Sequence, residues 1–188
     1  MRTPAILAVL VLPTVLLVGA TDALAQTRLA VFGGGLVPFG DLEDTTESSF
    51  RVGARMEYQP VNARGQRRLL AWFAQVAFSP LSVKAEAQEA ARLAGASEDA
   101  TLFGVEAGTR VYSRTAPLFL QAGAGWARFD PPGDGDAGDA LDFHLGAGFL
   151  VPVDPMFLEA DVTLHQGIGS DDLSFTYVAA HGGLSLPF

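Results

Sequence analysis

The sequence predicts an all-β protein: an antiparallel up-and-down transmembrane β-barrel of about eight strands. Three observations predict it. Segments of about ten residues carry apolar side chains at every second position, the connections between them run long and short in turn, and aromatic residues sort to the two ends of the segments. Side chains alternate across a strand with period two, and a tilted strand crosses the hydrocarbon in about 9–11 residues.

The clearest segment is 156–166, "MFLEADVTLHQ". Met156, Leu158, Ala160, Val162 and Leu164 share one parity, and Phe157, Glu159, Asp161, Thr163 and His165 the other. A helix would scatter those acids around its circumference. The same alternation sets Leu141, Phe143, Leu145, Ala147, Phe149 and Val151 against Asp142, His144, Gly146, Gly148 and Leu150. It sets Phe50, Val52, Ala54, Met56 and Tyr58 against Arg51, Gly53, Arg55, Glu57 and Gln59, and Thr101, Phe103, Val105, Ala107, Thr109 and Val111 against Leu102, Gly104, Glu106, Gly108 and Arg110. Segments 28–38, 69–79, 117–128 and 175–188 fit the same pattern less cleanly and bring the total to about eight.

A water-soluble sandwich would show similar alternation, so the connections decide. Segments 39–49, 80–100, 129–139 and 167–173 are long, whereas 60–67, 113–116 and 152–155 are short. In an up-and-down meander all the short turns fall at one end, as in barrels with short periplasmic turns and longer external loops. On the apolar parity, Phe50, Phe78, Phe103, Trp126 and Phe143 lie near the long-loop end, and Tyr58, Trp72, Phe149 and Phe188 near the short-turn end. Two membrane interfaces select two such girdles.

Residues 1–25 read as a cleaved signal peptide: Arg2, an apolar run from Ala5 to Val18 interrupted by Pro13, and a small-x-small site ending at Ala25. Residues 26–188 are then the barrel domain. Removing the leader takes away Arg2 and Asp22 and leaves 11 basic against 20 acidic residues, a net charge still of −9. That balance excludes nucleic acid as a partner, which needs a basic face. With no cysteine, an exported chain has no disulfides to stabilise it and rests on packing and backbone hydrogen bonds.

In this architecture the chain resembles the small outer-membrane β-barrels of the OmpA/OmpX type from Gram-negative bacteria. The resemblance covers leader, strand number, alternating connections and the final aromatic residue, Phe188, with Leu186 and Leu184 on the same parity. It implies location in the outer membrane, outer-membrane lipid as a partner, and recognition of Phe188, Leu186 and Leu184 by the barrel-assembly machinery. Lipid offers no hydrogen bonds, so the last strand is expected to close on the first.

The opposite parity then lines the lumen with Arg51, Arg55, Glu57, Glu106, Arg110, Asp142, His144, Glu159, Asp161, His165 and His181, together with Gln75 and Gln121. Eight strands leave an interior just wide enough for side chains to fill, so these charges are expected to pair. A four-residue turn at 152–155 puts Asp142 opposite His165 and Asp161 opposite Gly146, and a symmetric last loop puts Glu159 opposite His181. Glycines on this parity, among them Gly53, Gly108 and Gly148, make room for long side chains from the facing wall or ease curvature.

Three functions fit. The first is a structural or surface-interaction role through acidic external loops, which carry most of the net charge: Asp41, Glu43, Asp44 and Glu47 in one, Asp130, Asp134, Asp136 and Asp139 in another. The second is a narrow channel, though Arg51, Arg55 and Arg110 in so small a lumen imply low or flickering conductance. The third, a lipid-modifying enzyme, needs a nucleophile beside its base. No serine falls beside a histidine on the predicted strands, so no catalytic residue is assigned. "DPPGDGDAGD" lacks the spacing of a calcium loop, and no metal or cofactor is expected. The alanine-rich stretch "SVKAEAQEAARLAG" has the composition of a short helix.

Overall fold

A computed structural model describes residues 25–61, 69–133, 137–169 and 174–188. Leader residues 1–24 lie outside the described residues, as do Arg64, Arg67, Asp134, Asp136, Asp171 and Asp172 of the connections. Eight antiparallel strands form one closed barrel in sequence order. They are β1 (Ala25–Phe39), β2 (Ser49–Pro60), β3 (Leu70–Leu81), β4 (Ala100–Tyr112), β5 (Leu118–Asp130), β6 (Gly138–Val153), β7 (Met156–Gly169) and β8 (Ser174–Pro187). The barrel closes by pairing β8 with β1, from Arg28 opposite Pro187 to Phe39 opposite Thr176. Phe188 adds a backbone hydrogen bond of 3.0 Å to the Thr27 carbonyl. Among the described residues no strand edge is left open, which is the condition for a sheet in lipid.

The two faces are inverted relative to a water-soluble protein. Leu29, Val31, Val52, Val76, Leu120, Leu145, Val162, Leu164 and Leu184 stand exposed around the outside, while every arginine and carboxylate named for the lumen is buried. A contiguous apolar exterior of this extent is a surface that lipid, not water, solvates. Phe78 lies opposite Phe103, whose ring is 6.0 Å from that of Trp126; at the other end Tyr58 and Trp72 meet at 6.1 Å. Both aromatic groups therefore continue across neighbouring strands.

The last long connection differs from expectation. β7 runs on to Gly169, so the last long loop shrinks to 170–173 and is no longer than the turn at 113–117. The length asymmetry is carried by 40–48, 82–99 and 131–137. These three are stitched together. Thr46 bridges Val83, and Ser97 bridges Gly133. The first loop holds a short helix α1 (Asp41–Thr45), and the second a ten-residue helix α2 (Ala85–Ala94). Helix α2 ends where alanine gives way to Gly95 at φ 74°, and Ala96 N–H donates back to the Ala91 carbonyl, the glycine-dependent stop expected there.

Between these loops and the lumen lies the apolar cluster of the molecule: Leu36, Leu42, Leu81, Val83, Leu102, Phe175 and Tyr177, with Ala100, Ala127, Ala140 and Ala179. Leu36 and Leu102 are fully buried. Leu42 comes from α1, so the first loop supplies a stopper to the mouth at the long-loop end.

Candidate functional site

Below that stopper the inward positions of the strands build a column of charged side chains, joined by amides from β3 and β5. Arg110 sits at its hub: Nη1 lies 3.1 Å from Glu57 Oε2 and 3.3 Å from Glu159 Oε2, Nη2 lies 3.6 Å from Asp161, and Nε donates to Gln121 at 2.8 Å. Arg55 donates to Glu159 at 2.6 Å and lies 3.5 Å from Asp161. Its Nε donates to Gln75 Oε1 at 2.7 Å, and Gln75 Nε2 in turn donates to Glu106 Oε2 at 2.7 Å. That amide links the lower cluster to an upper one, where Arg51 donates to Glu106 at 2.6 Å. Such pairs are favourable inside only because each carboxylate accepts several hydrogen bonds; removing one partner strands a buried charge.

All eleven residues named from the sequence are buried, but the histidine pairings differ from those expected. β6 and β7 run to Val153 opposite Met156, with only Asp154 and Pro155 between. The register is therefore two residues away from the one drawn with a four-residue turn. His144 faces His165, Asp142 faces Gly167 and Asp161 faces Gly148. The Asp142–His165 contact nevertheless forms, diagonally, at 2.9 Å. β8 is shifted by two as well, so His181 meets Asp161 at 2.9 Å, whereas Glu159 faces Gly183.

Four of the lumenal glycines make room for rings of the neighbouring strand, whereas Gly104 lies against Glu106 and the long Arg51 side chain from β2. Phe32, Phe73, Phe119 and Phe175 lie directly opposite Gly53, Gly108, Gly148 and Gly167. A Cβ would stand 2.3 Å from the Phe32 ring at Gly53, 2.5 Å from that of Phe119 at Gly148 and 2.1 Å from that of Phe175 at Gly167. Three of the rings also carry guanidinium groups over them. Arg110 stands 4.1 Å above Phe119, and Arg55 stands 5.0 Å from Phe32 and 5.5 Å from Phe73. Each such contact adds about 0.5–2 kcal/mol.

Three participants escaped the sequence reading. Arg28 pairs with Glu57, and Tyr112 donates to the same carboxylate at 2.7 Å. Tyr177 is stacked on His165 at 4.4 Å. The signal was parity: Arg28 is in step with Ala30 and Phe32, Tyr112 with Arg110, and Tyr177 with His181. Arg28 and Tyr112 stand at the ends of their segments, where strand boundaries are least legible.

A hydroxyl–imidazole–carboxylate row does occur. His165 Nδ1 contacts Asp142, and Nε2 lies 3.1 Å from Thr163 Oγ1. Thr163, His165 and Asp142 are all at most 1% exposed, between the charge column and the apolar stopper. Nucleophilic catalysis needs a substrate carbonyl beside the hydroxyl, and no space for one adjoins this row among the described residues. The row orients a ring.

Counting carboxylates as ionised and imidazoles as neutral, the lower cluster balances, with Arg28, Arg55 and Arg110 against Glu57, Glu159 and Asp161. The upper cluster does not: Arg51 stands against Glu106 and Asp142. One negative charge remains, next to His144 and His165.

No family model matches the sequence, and no curated protein does. Solved structures do match in fold. Neisserial surface protein A superposes with a TM-score of 0.56 at 14% identity, covering 87% of this chain and 99% of that one. The outer membrane protein Ail of Yersinia pestis in a bilayer nanodisc gives 0.47 at 12% identity, covering 87% and 99%. The N-terminal β-barrel domain of Pseudomonas aeruginosa OprF gives 0.47 at 11%, covering 87% and 97%. The fold of this chain is that of the small eight-stranded outer-membrane barrels.

Proposed function

We propose that this chain is a closed, non-enzymatic barrel of a Gram-negative outer membrane, folded there by the barrel-assembly machinery after its leader is removed, with a structural or surface-interaction role. The observation that carries this reading is the filling of the lumen along its length. Arginine–carboxylate pairs occupy the lower and middle levels, and Leu36, Leu42, Leu102 and Phe175 occupy the mouth. A solute would have to displace paired charges and then a packed apolar layer. The chemistry left for recognition is outside, on loops bearing Asp41, Glu43, Asp44, Glu86 and Glu89, whose charge favours a partner with a basic face. Single-channel recording on the protein reconstituted in planar bilayers tests the reading. The expected result is no stable open level; a large, steady pore would overturn it in favour of the channel.

A further inference from the structure

We propose that the upper lumen is a binding site for one divalent transition-metal ion of the zinc class, ligated by Glu106, His144 and His165. One donor atom from each of these buried residues lies within 4.8 Å of the other two. They come from β4, β6 and β7, and β5 lets them meet because its inward positions there are bare. A Cβ at Gly123 would stand 2.6 Å from the His144 ring, and one at Gly125 would stand 2.9 Å from Glu106 Cγ.

His144 is one of the buried lumenal residues whose polar atoms lack a hydrogen-bond partner among the described residues. Its side chain is fully buried, yet neither ring nitrogen has a hydrogen-bond partner among the described residues. Nδ1 stands 3.1 Å from Glu106 Oε2 but out of line for a hydrogen bond. A buried polar group left unpartnered is costly, and coordination would remove that cost.

His165 is prepared for the same task. Asp142 accepts its Nδ1–H, which turns the Nε2 lone pair inward; carboxylate–imidazole pairs of this kind orient metal-bound histidines. Thr163, now 3.1 Å from Nε2, has an alternative acceptor in the Ala179 carbonyl at 3.5 Å. The charge count agrees, since the uncompensated negative charge among the described lumenal residues lies in this cluster. Two imidazoles and one carboxylate suit a borderline transition ion and not calcium or magnesium, which take oxygen ligands. Bonds of 2.0–2.2 Å in a tetrahedral site bring donors to about 3.4 Å from one another, so the cluster must contract slightly.

The test uses untagged protein, expressed as the full chain and recovered from the outer-membrane fraction. It is unfolded in urea and refolded into detergent micelles with Co²⁺ or Zn²⁺, because a filled lumen would admit the ion as the barrel closes. After desalting, metal content is measured on material whose gel mobility without heating shows it to be folded. We expect about one ion per chain, visible d–d absorption with Co²⁺, retention in excess Ca²⁺, and at least a tenfold loss of apparent affinity in His144→Phe, which keeps a ring against Phe73, and in His165→Asn. Folded wild type that carries no ion overturns the proposal. Retention by both variants, or displacement by Ca²⁺, assigns the ion to the acidic loops and overturns it equally.

Discussion

Arg110 offers the sharpest quantitative test of the lumen. It faces Glu57, Glu159 and Asp161 and stacks on Phe119. Replacing it by methionine keeps the aliphatic stem and removes the charge, leaving Arg28 and Arg55 to balance three buried carboxylates. Stranding one buried charge costs about 3–5 kcal/mol, and the lost ring contact about 1 kcal/mol. Arg55 already contacts Glu159 and Asp161 and absorbs part of this, so we expect a net loss of about 4 kcal/mol. With a urea dependence of about 2 kcal/mol per molar, the unfolding midpoint in lipid vesicles falls by about 2 M, followed through emission of Trp72 and Trp126. Adding Glu159→Gln to Arg110→Met removes an acid with the base and restores neutrality, so the double variant should be more stable than the sum of the single losses by about 1.5 kcal/mol or more. A loss under about 0.5 kcal/mol for Arg110→Met, or strict additivity, would refute the view that charge balance holds the lumen together.

Three further outcomes follow from other parts of the barrel. Leu145, midway along β6 and 64% exposed, should cost about 2–4 kcal/mol of folding stability in vesicles when changed to arginine, as at a bilayer midplane; a neutral result would place that face in water. Gly167→Ala drives a Cβ into the Phe175 ring and should destabilise by about 1–3 kcal/mol, with Phe175→Leu in the same chain recovering most of it; failure of the rescue would mean that backbone strain, not the ring, sets the cost. Deleting Phe188 should leave export across the inner membrane intact while the amount in the outer membrane falls several-fold, as judged by fractionation and protease access to the 82–99 loop; wild-type levels would separate Phe188 from assembly.

What the sequence determined by itself was parity. Alternation told which side chains of each strand face lipid and which face the lumen, because the pleat repeats every two residues and a polar group facing lipid is costly. All eleven lumenal residues were legible for that reason, and the helical stretch at 85–94 from its alanine-rich composition. What only the tertiary structure decided was register, and the reason is the same period: a slip of two residues leaves every side chain on its own face. The two-residue connection between β6 and β7 moved Asp161 opposite Gly148, and the β7–β8 register brought it opposite His181, neither of which alternation could show. The same closure laid the phenylalanine rings over glycines and brought Leu42 from a loop into the mouth. It also drew Glu106, from β4, to the two histidines of β6 and β7 across the bare positions of β5. Such contacts depend on distances between strands far apart in the chain, which a one-dimensional alternation does not contain.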